Sequence, residues 1–315
     1  MKLVRYEHNK LSHLGVISHG RLLSLQTDLD VFGVLSLPRA ERDYLEGQAG
    51  KYLNAPLGMY RLLPPIEPSV MRDFVAFEEH ITAMKKNEPG DGKVPQQWYD
   101  APVHIYMNPY TVFGANDTIP MPPETKAMDF EMEVAAIVLK RGSDVAPEEA
   151  SSYIAGYCIL NDWSARDIQG QEMRVGLGPS KGKDFATTLG PWITTPDELE
   201  QYRVGDRYDL EMTVSINGVK FGQDSLKNMA WSFEDLIVHT SRASVIGKGD
   251  VLASGTCSGG SLAEAWANNG RQEPRPLQVG DVVEMTVTGL GTISNTIGET
   301  RSPNHKIPKA RTAEH

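Results

Sequence analysis

From residue 69 to residue 297 the apolar residues fall into short, strand-length runs separated by turn residues, with few stretches of helical period. Residues 130–139 read as a strand, and Gly156-Tyr157-Cys158-Ile159-Leu160 as a strand buried by its continuous apolar run. Asn217-Gly218, set between alternating segments in residues 210–220, is a strong hairpin signal. Residues 282–287 and 291–297 add two further strands. Helices are isolated. One is expected over 73–86, with Phe74, Phe77, Ile81 and Met84 in phase and Asp73 as N-cap. Another is expected over 146–155, with Pro147 in its first turn, and a third opens at the capping box Ser232-Phe233-Glu234-Asp235. Residues 88–102, rich in Gly and Pro, read as a long surface loop. A doubly wound sheet needs helices alternating with its strands, so this pattern predicts a β-rich α+β fold.

The first 68 residues read as a small separate domain, with 69–315 as the second. Leu14–Ser18 and Arg21–Leu25 flank a His19-Gly20 turn, a polar helix is expected over 39–49, and Leu63-Pro64-Pro65-Ile66-Glu67-Pro68 forms a stiff connector. Charge narrows the partners. Lys plus Arg number 31 against 41 Asp plus Glu, a net charge of −10, which repels phosphate backbones and anionic lipid. No stretch approaches the ~20 apolar residues that span a bilayer, and the N-terminus carries no apolar leader segment. With two cysteines only, Cys158 and Cys257, both in apolar surroundings, the expectation is unbridged thiols in a reducing cytoplasm.

Several constellations carry chemistry, and each has a plainer explanation. In Met128-Asp129-Phe130-Glu131-Met132-Glu133-Val134, strand alternation puts Glu131 and Glu133 on one side with Asp129. Carboxylates about 7 Å apart on one face repel unless a cation or water separates them, and the plain reading is a solvent-facing edge. In Asn161-Asp162-Trp163-Ser164-Ala165-Arg166-Asp167-Ile168-Gln169 a buried strand ends in acids and turns into a helix. Arg166 and Gln169 then share a face suited to an anionic substrate, or Asp162 merely caps the helix. Asp73 and His80 lie nearly two helical turns apart, as ligand and base or as a surface pair. The Gly-rich stretch Gly176–Asp184 has the wrong spacing for a phosphate loop but can deliver Lys183 to a site. Finally, Ala253-Ser254-Gly255-Thr256-Cys257-Ser258-Gly259-Gly260, followed by Glu264, permits close backbone approach, or is an ordinary turn. No His-Glu-x-x-His or Cys-x-x-Cys motif occurs, which disfavours zinc and thiol chemistry.

Taken in order, these blocks resemble the fumarylacetoacetate hydrolase family over roughly residues 70–300, its fumarylacetoacetase-like branch in particular. The Asn-Asp-Trp-Ser-Ala-Arg-Asp block is the most specific of them. The resemblance implies mixed sheets rolled around a metal site and assembly as a homodimer. It implies that Asp73, Glu131, Glu133 and Asp162 hold a divalent cation, Mg2+ or Ca2+, with Mn2+ possible. His80 falls on the water-activating base and Glu264 on the acid that orients it, although Glu264 stands one residue nearer Trp266 than the family spacing. Arg166, Gln169 and Lys183 match groups around the substrate, Thr256 matches a donor to its carboxylate end, and Lys183 with Thr187 matches a weaker second cation contact. Val75 and Met173 replace two pocket tyrosines, so the natural substrate is the less determined part.

The implied reaction is hydrolysis of a carbon–carbon bond in a 1,3-diketo acid, fumarylacetoacetate or a related acylpyruvate. A dicarbonyl chelates a hard cation through two oxygens, and His80 takes a proton from the attacking water. The alternatives are a decarboxylase or isomerase of 2-oxo acids on the same scaffold, and a non-catalytic metal-stabilised binding module. A closed structural cation site has no need of Lys183, Arg166 and Gln169.

Overall fold

The computed structural model describes residues 1–86, 92–300, 308, 310 and 311. Its fold is α+β and β-rich, with two large sheets. The larger has eleven strands. Ten run in the order Asn54–Pro56, Arg21–Ser24, Leu11–Ser18, Lys2–His8, Thr187–Thr194, Ile154–Asp162, Met132–Val138, Val251–Ala253, Met71–Phe74 and His104–Met107. The eleventh, Val112–Phe113, lies parallel to Thr187–Thr194. The second sheet orders Val219–Ser225, Glu211–Ile216, Val282–Val287, Gly291–Gly298 and Ile119–Pro120.

The central strands Met132–Val138 and Ile154–Asp162 are buried at every position. Alternate side chains supply two cores: Met132, Val134 and Ala136 pack with Ile159, Met212 and Met285, while Ala135 and Ile137 pack with Cys158, Leu160 and Leu189. A strand covered on both faces has no solvent side, which explains the uncharged runs over 134–138 and 154–160; the polar residues Glu133, Asn161 and Asp162 stand at the ends of these strands.

The boundary expected at residue 68 is crossed by the sheet itself, because Leu3 pairs with Ile193 and Lys2 with Thr194. The turn Asn217-Gly218 has φ of 52° and 77°, the left-handed backbone of a tight hairpin. Ser232 and Asp235 form the expected capping box for the helix Phe233–Ser241.

Three expectations need correction. Residues 73–77 are not helical: Asp73 lies in the strand Met71–Phe74, paired with Ala253 and Ile105, and the helix spans Glu78–Lys85. Burial of Phe74 and sheet pairing on both sides outweigh the helical spacing. The segment Pro147–Tyr153 is a 3-10 helix rather than an α-helix. The expected loop over 88–102 contains the helix Gln96–Asp100, and its residues 88–91 lie outside the described residues.

Candidate metal and catalytic site

The site forms at one end of the large sheet, on the adjacent strands Met132–Val138 and Ile154–Asp162 and, one strand beyond Val251–Ala253, on Met71–Phe74. Glu133 lies in Met132–Val138, Glu131 immediately precedes that strand, Asp162 ends Ile154–Asp162, and Asp73 belongs to Met71–Phe74. Backbone pairing brings them together: the Asp162 N–H donates to the Glu131 carbonyl at 3.1 Å, and the Glu131 N–H to Asn161 Oδ1 at 3.1 Å. One carboxylate oxygen from each of the four lies within 4.8 Å of the others. None is more than 6% exposed, so the solvent-facing edge is ruled out.

Glu131 and Glu133 thus share a side as strand alternation requires, but Asp129 does not join them. Its carboxylate turns instead to the N–H groups of Leu262 and Ala263. Asp162 does not cap the next helix; Ala165 occupies that position, without a side-chain cap.

Two cations close the cluster. Lys183 Nζ donates to Glu131 Oε2, to Asp162 Oδ2, and to Ser164 Oγ at 3.0 Å. Arg166 Nη2 donates to Glu131 Oε1 at 2.7 Å, and its Nη1 to Gln169 Oε1 at 3.0 Å. Arg166 and Gln169 therefore touch, as their spacing suggested. Gly182 makes the Lys183 loop possible: a Cβ there would stand 2.7 Å from the Gln169 nitrogen.

Four carboxylates against one ammonium and one guanidinium leave a formal surplus of two negative charges. The surplus shows in the acidities. Burial lifts the Asp73 carboxyl to about 6, with Lys183 opposing and Glu131 adding to the rise. Burial and neighbouring acids, Asp73 first among them, push Glu133 well above the carboxylate range. Asp162 is pushed the same way by burial, against the pull of Lys183. Glu131 goes the other way, because Arg166 and Lys183 outweigh its burial. The Lys183 ammonium is held firmly protonated by Asp162 and Glu131 despite burial.

Among the described residues, three carboxylate oxygens in this cluster have no hydrogen-bond partner: Asp73 Oδ1, Glu133 Oε1 and Asp162 Oδ1. Buried acceptors left without partners cost about 1–3 kcal/mol each, and an all-oxygen donor set suits a hard divalent cation. The residues present fit such an ion.

Beside the cluster stands a histidine–glutamate pair. His80 Nδ1 lies 3.0 Å from Glu264 Oε2, with both residues buried. His80 comes from the helix Glu78–Lys85, and Glu264 from the first turn of the helix Leu262–Asn269, where its N–H donates to the N-cap Ser261 at 3.2 Å. A charge on the imidazole acts on both Asp73 and Glu131, so the pair and the cluster form one electrostatic unit.

Gly255 closes that side. Its N–H donates to Glu133 Oε2 at 3.2 Å, its φ is +79°, and a Cβ would meet the Phe74 carbonyl oxygen at 2.2 Å. Thr256 is buried next to it, and Thr187 is buried opposite Asp162 in the sheet register. Val75 is half-buried, whereas Met173 is 50% exposed at the end of its helix. The cysteines are free and buried, with Cys257 in a loop beyond the strand Val251–Ala253.

Sequence reasoning misplaced Asp129 beside the two glutamates and missed two contributors: Ser164 on Lys183, and Glu172, whose carboxylate accepts from the N–H groups of Ser180, Lys181 and Gly182. The spacing Ser261-x-x-Glu264 was an available helix-start signal that places Glu264.

A cage of buried carboxylates beside a His–Glu pair, on this β-rich scaffold, has the makings of an enzyme's metal site. The family model of the fumarylacetoacetate hydrolase C-terminal domain matches residues 69–298, and the chain belongs to that family. It is 35% identical over 212 residues to the fumarylacetoacetase fahA of Aspergillus fumigatus, covering 56% of this chain and 47% of that protein. It is 32% identical over 189 residues to the mitochondrial oxaloacetate tautomerase Fahd2a of Rattus norvegicus, covering 59% and 56%. The chain thus spans about half the length of these curated relatives. A fumarylacetoacetate hydrolase from Exiguobacterium antarcticum has the same fold, with TM-score 0.71 and 25% identity over 96% of this chain and all of that one. A maleylpyruvate hydrolase from Sphingobium sp. SYK-6, solved with manganese(II) and pyruvate, shares the fold at TM-score 0.70 and 18% identity, covering 96% and 100%. The family comprises hydrolases, isomerases and tautomerases, and its enzymes bind divalent metals. Among the described residues no helix is long and apolar enough to cross a membrane.

Proposed function

We propose that the protein is a divalent-cation-dependent hydrolase that cleaves the carbon–carbon bond of a 1,3-diketo acid, fumarylacetoacetate or a related acylpyruvate. The observation that carries this reading is the buried His80–Glu264 pair, 3.0 Å apart, beside the four-carboxylate cluster. Asp73, Glu131, Glu133 and Asp162 would hold Mg2+ or Ca2+, with Mn2+ also suited to the oxygen donors. When bound, the ion supplies Lewis acidity to the substrate's oxygens.

The remaining work falls to side chains. Glu264 accepts the Nδ1 proton of His80, which fixes the neutral tautomer and leaves Nε2 to take a proton from water. The hydroxide equivalent adds to the acyl carbon, the carbon–carbon bond breaks, and the proton that His80 took from water returns to the departing carbon. Lys183 and Arg166 bring positive charge to the oxyanion, Gln169 and Thr256 orient the substrate's polar end, and Lys183 with Thr187 forms a weaker second cation contact. All of these residues belong to the proposed domain 69–315, with 1–68 as a smaller unit. A cytoplasmic homodimer completes the reading.

The test is a panel of acylpyruvates, followed by loss of enol absorbance with and without EDTA. His80→Ala should retain the cation-induced rise in melting temperature and lose about a hundredfold or more in kcat. Near-normal turnover by this variant would remove the proposed base. The 32% identity to an oxaloacetate tautomerase favours a second reading, enol–keto isomerisation of a 2-oxo acid. Turnover of oxaloacetate enol without cleavage of any acylpyruvate would put that reading first.

A further inference from the structure

Asp129 is fully buried, yet it belongs to neither the carboxylate cluster nor the His–Glu pair. Its two oxygens accept four hydrogen bonds. Oδ1 takes the N–H groups of Phe130 at 2.7 Å and Leu262 at 2.8 Å. Oδ2 takes the N–H of Ala263 at 3.0 Å and Arg166 Nε at 2.8 Å. Neither oxygen is left without a partner.

These bonds lead to the two halves of the site. Leu262 and Ala263 are the first two residues of the helix that carries Glu264 at its third position. Their N–H groups have no partner within the helix, and Asp129 satisfies both from a different strand, while Ser261 takes the third. Arg166 bridges from Asp129 to Glu131: its Nη2 lies 2.8 Å from Asp129 Oδ2 and donates to Glu131 Oε1 at 2.7 Å. One carboxylate therefore sets the start of the Glu264 helix and the orientation of the guanidinium that grips Glu131.

We infer that Asp129 is a positioning residue that keeps the His80–Glu264 pair in register with the cation-binding carboxylates. It acts through Glu264 and Arg166, and the inference rests on the proposed role of His80 as base. An amide at this position would retain one acceptor oxygen and present an –NH2 group to N–H donors, which turns two of the four bonds into repulsions.

The experiment compares wild type, Asp129→Asn, His80→Ala and the double variant, with folding checked by circular dichroism. The NMR resonance of the His80 Nδ1 proton is followed alongside turnover of an acylpyruvate. Asp129→Asn is expected to lower kcat by tenfold or more and to broaden or abolish that resonance. In the His80→Ala background the same change should cost at least threefold less than in wild type, because the route through Glu264 then has no base to position and only the route through Arg166 remains. Equal costs in the two backgrounds, or an unchanged resonance in Asp129→Asn, would overturn the inference. If wild type cleaves no acylpyruvate, the resonance still decides: its loss in Asp129→Asn upholds the positioning role while the hydrolase reading fails. Should Asp129→Asn not fold, Ser261→Ala loosens the same helix start, and an unshifted His80 resonance there counts against the inference.

Discussion

Replacing Asp73 by Asn should make the cation-free protein more stable and the cation-loaded protein less so. The Asp73 carboxyl is buried, and its pKa rises from 3.8 to about 6 in the folded chain. A raised carboxyl binds protons in the folded state that the unfolded chain has already lost. This group's contribution to stability therefore falls as pH rises from 3.8 towards 6, and the full penalty is present above 6. About two pH units at 1.36 kcal/mol each give a penalty of about 3 kcal/mol at pH 7.5 and about 1 kcal/mol at pH 4.5. Asn is neutral throughout and keeps the size of Asp, so it escapes the penalty. With an unfolding entropy of about 2.1 cal/mol/K per residue, 3 kcal/mol on this chain corresponds to a rise of ~4 °C in Tm. Thermal melts in EDTA at pH 4.5 and 7.5 read the effect. Addition of Mg2+ should reverse the order, because wild type gains a partner for Asp73 Oδ1 that the amide cannot fully replace. The reasoning fails if Asp73→Asn in EDTA melts below wild type at pH 7.5, or if its advantage is the same at both pH values.

The raised carboxyls of Asp73, Glu133 and Asp162 must lose protons to bind a cation, so Mg2+ affinity should climb as pH rises, with the Asp73 step centred at about 6. Calorimetric titrations in buffers of different ionisation heat should show proton release, and heats independent of buffer would contradict this. Lys183→Met strips Glu131 and Asp162 of their shared ammonium and should destabilise the cation-free protein by about 3–5 kcal/mol in urea melts. A loss below about 1 kcal/mol would show that the ammonium is not bridging them. Burial pushes both thiols up, so Cys158 and Cys257 should resist a thiol reagent in the native protein. Both should react after unfolding without reductant; two unreactive sulfurs there would indicate a disulfide.

The strand pattern was legible because burial on both faces writes itself locally: residues 134–138 and 154–160 are buried on both sides and carry no charged group. The hairpin at Asn217-Gly218 and the cap at Ser232 were legible for the same reason, each being decided by a few adjacent residues. Glu131 and Glu133 could be placed on one side by strand alternation alone, and the block Asn161–Gln169 carried the family resemblance.

Other features depended on neighbours far away in the chain. Helical spacing placed Asp73 and His80 on one face for the wrong reason; they sit on a strand and a helix, and both reach the site because Met71–Phe74 pairs with Val251–Ala253. Alternation grouped Asp129 with the two glutamates, but the start of the Leu262–Asn269 helix, more than a hundred residues on, supplies N–H donors that claim it. Burial of Glu131 likewise required the Lys183 loop and Arg166 to close over it. Local sequence decides which backbone a segment prefers, since propensity and patterning act within a few residues. Which acid meets an ammonium, an N–H group or an unpartnered acid is decided by desolvation and charge, which act only once the sheet has brought distant segments together.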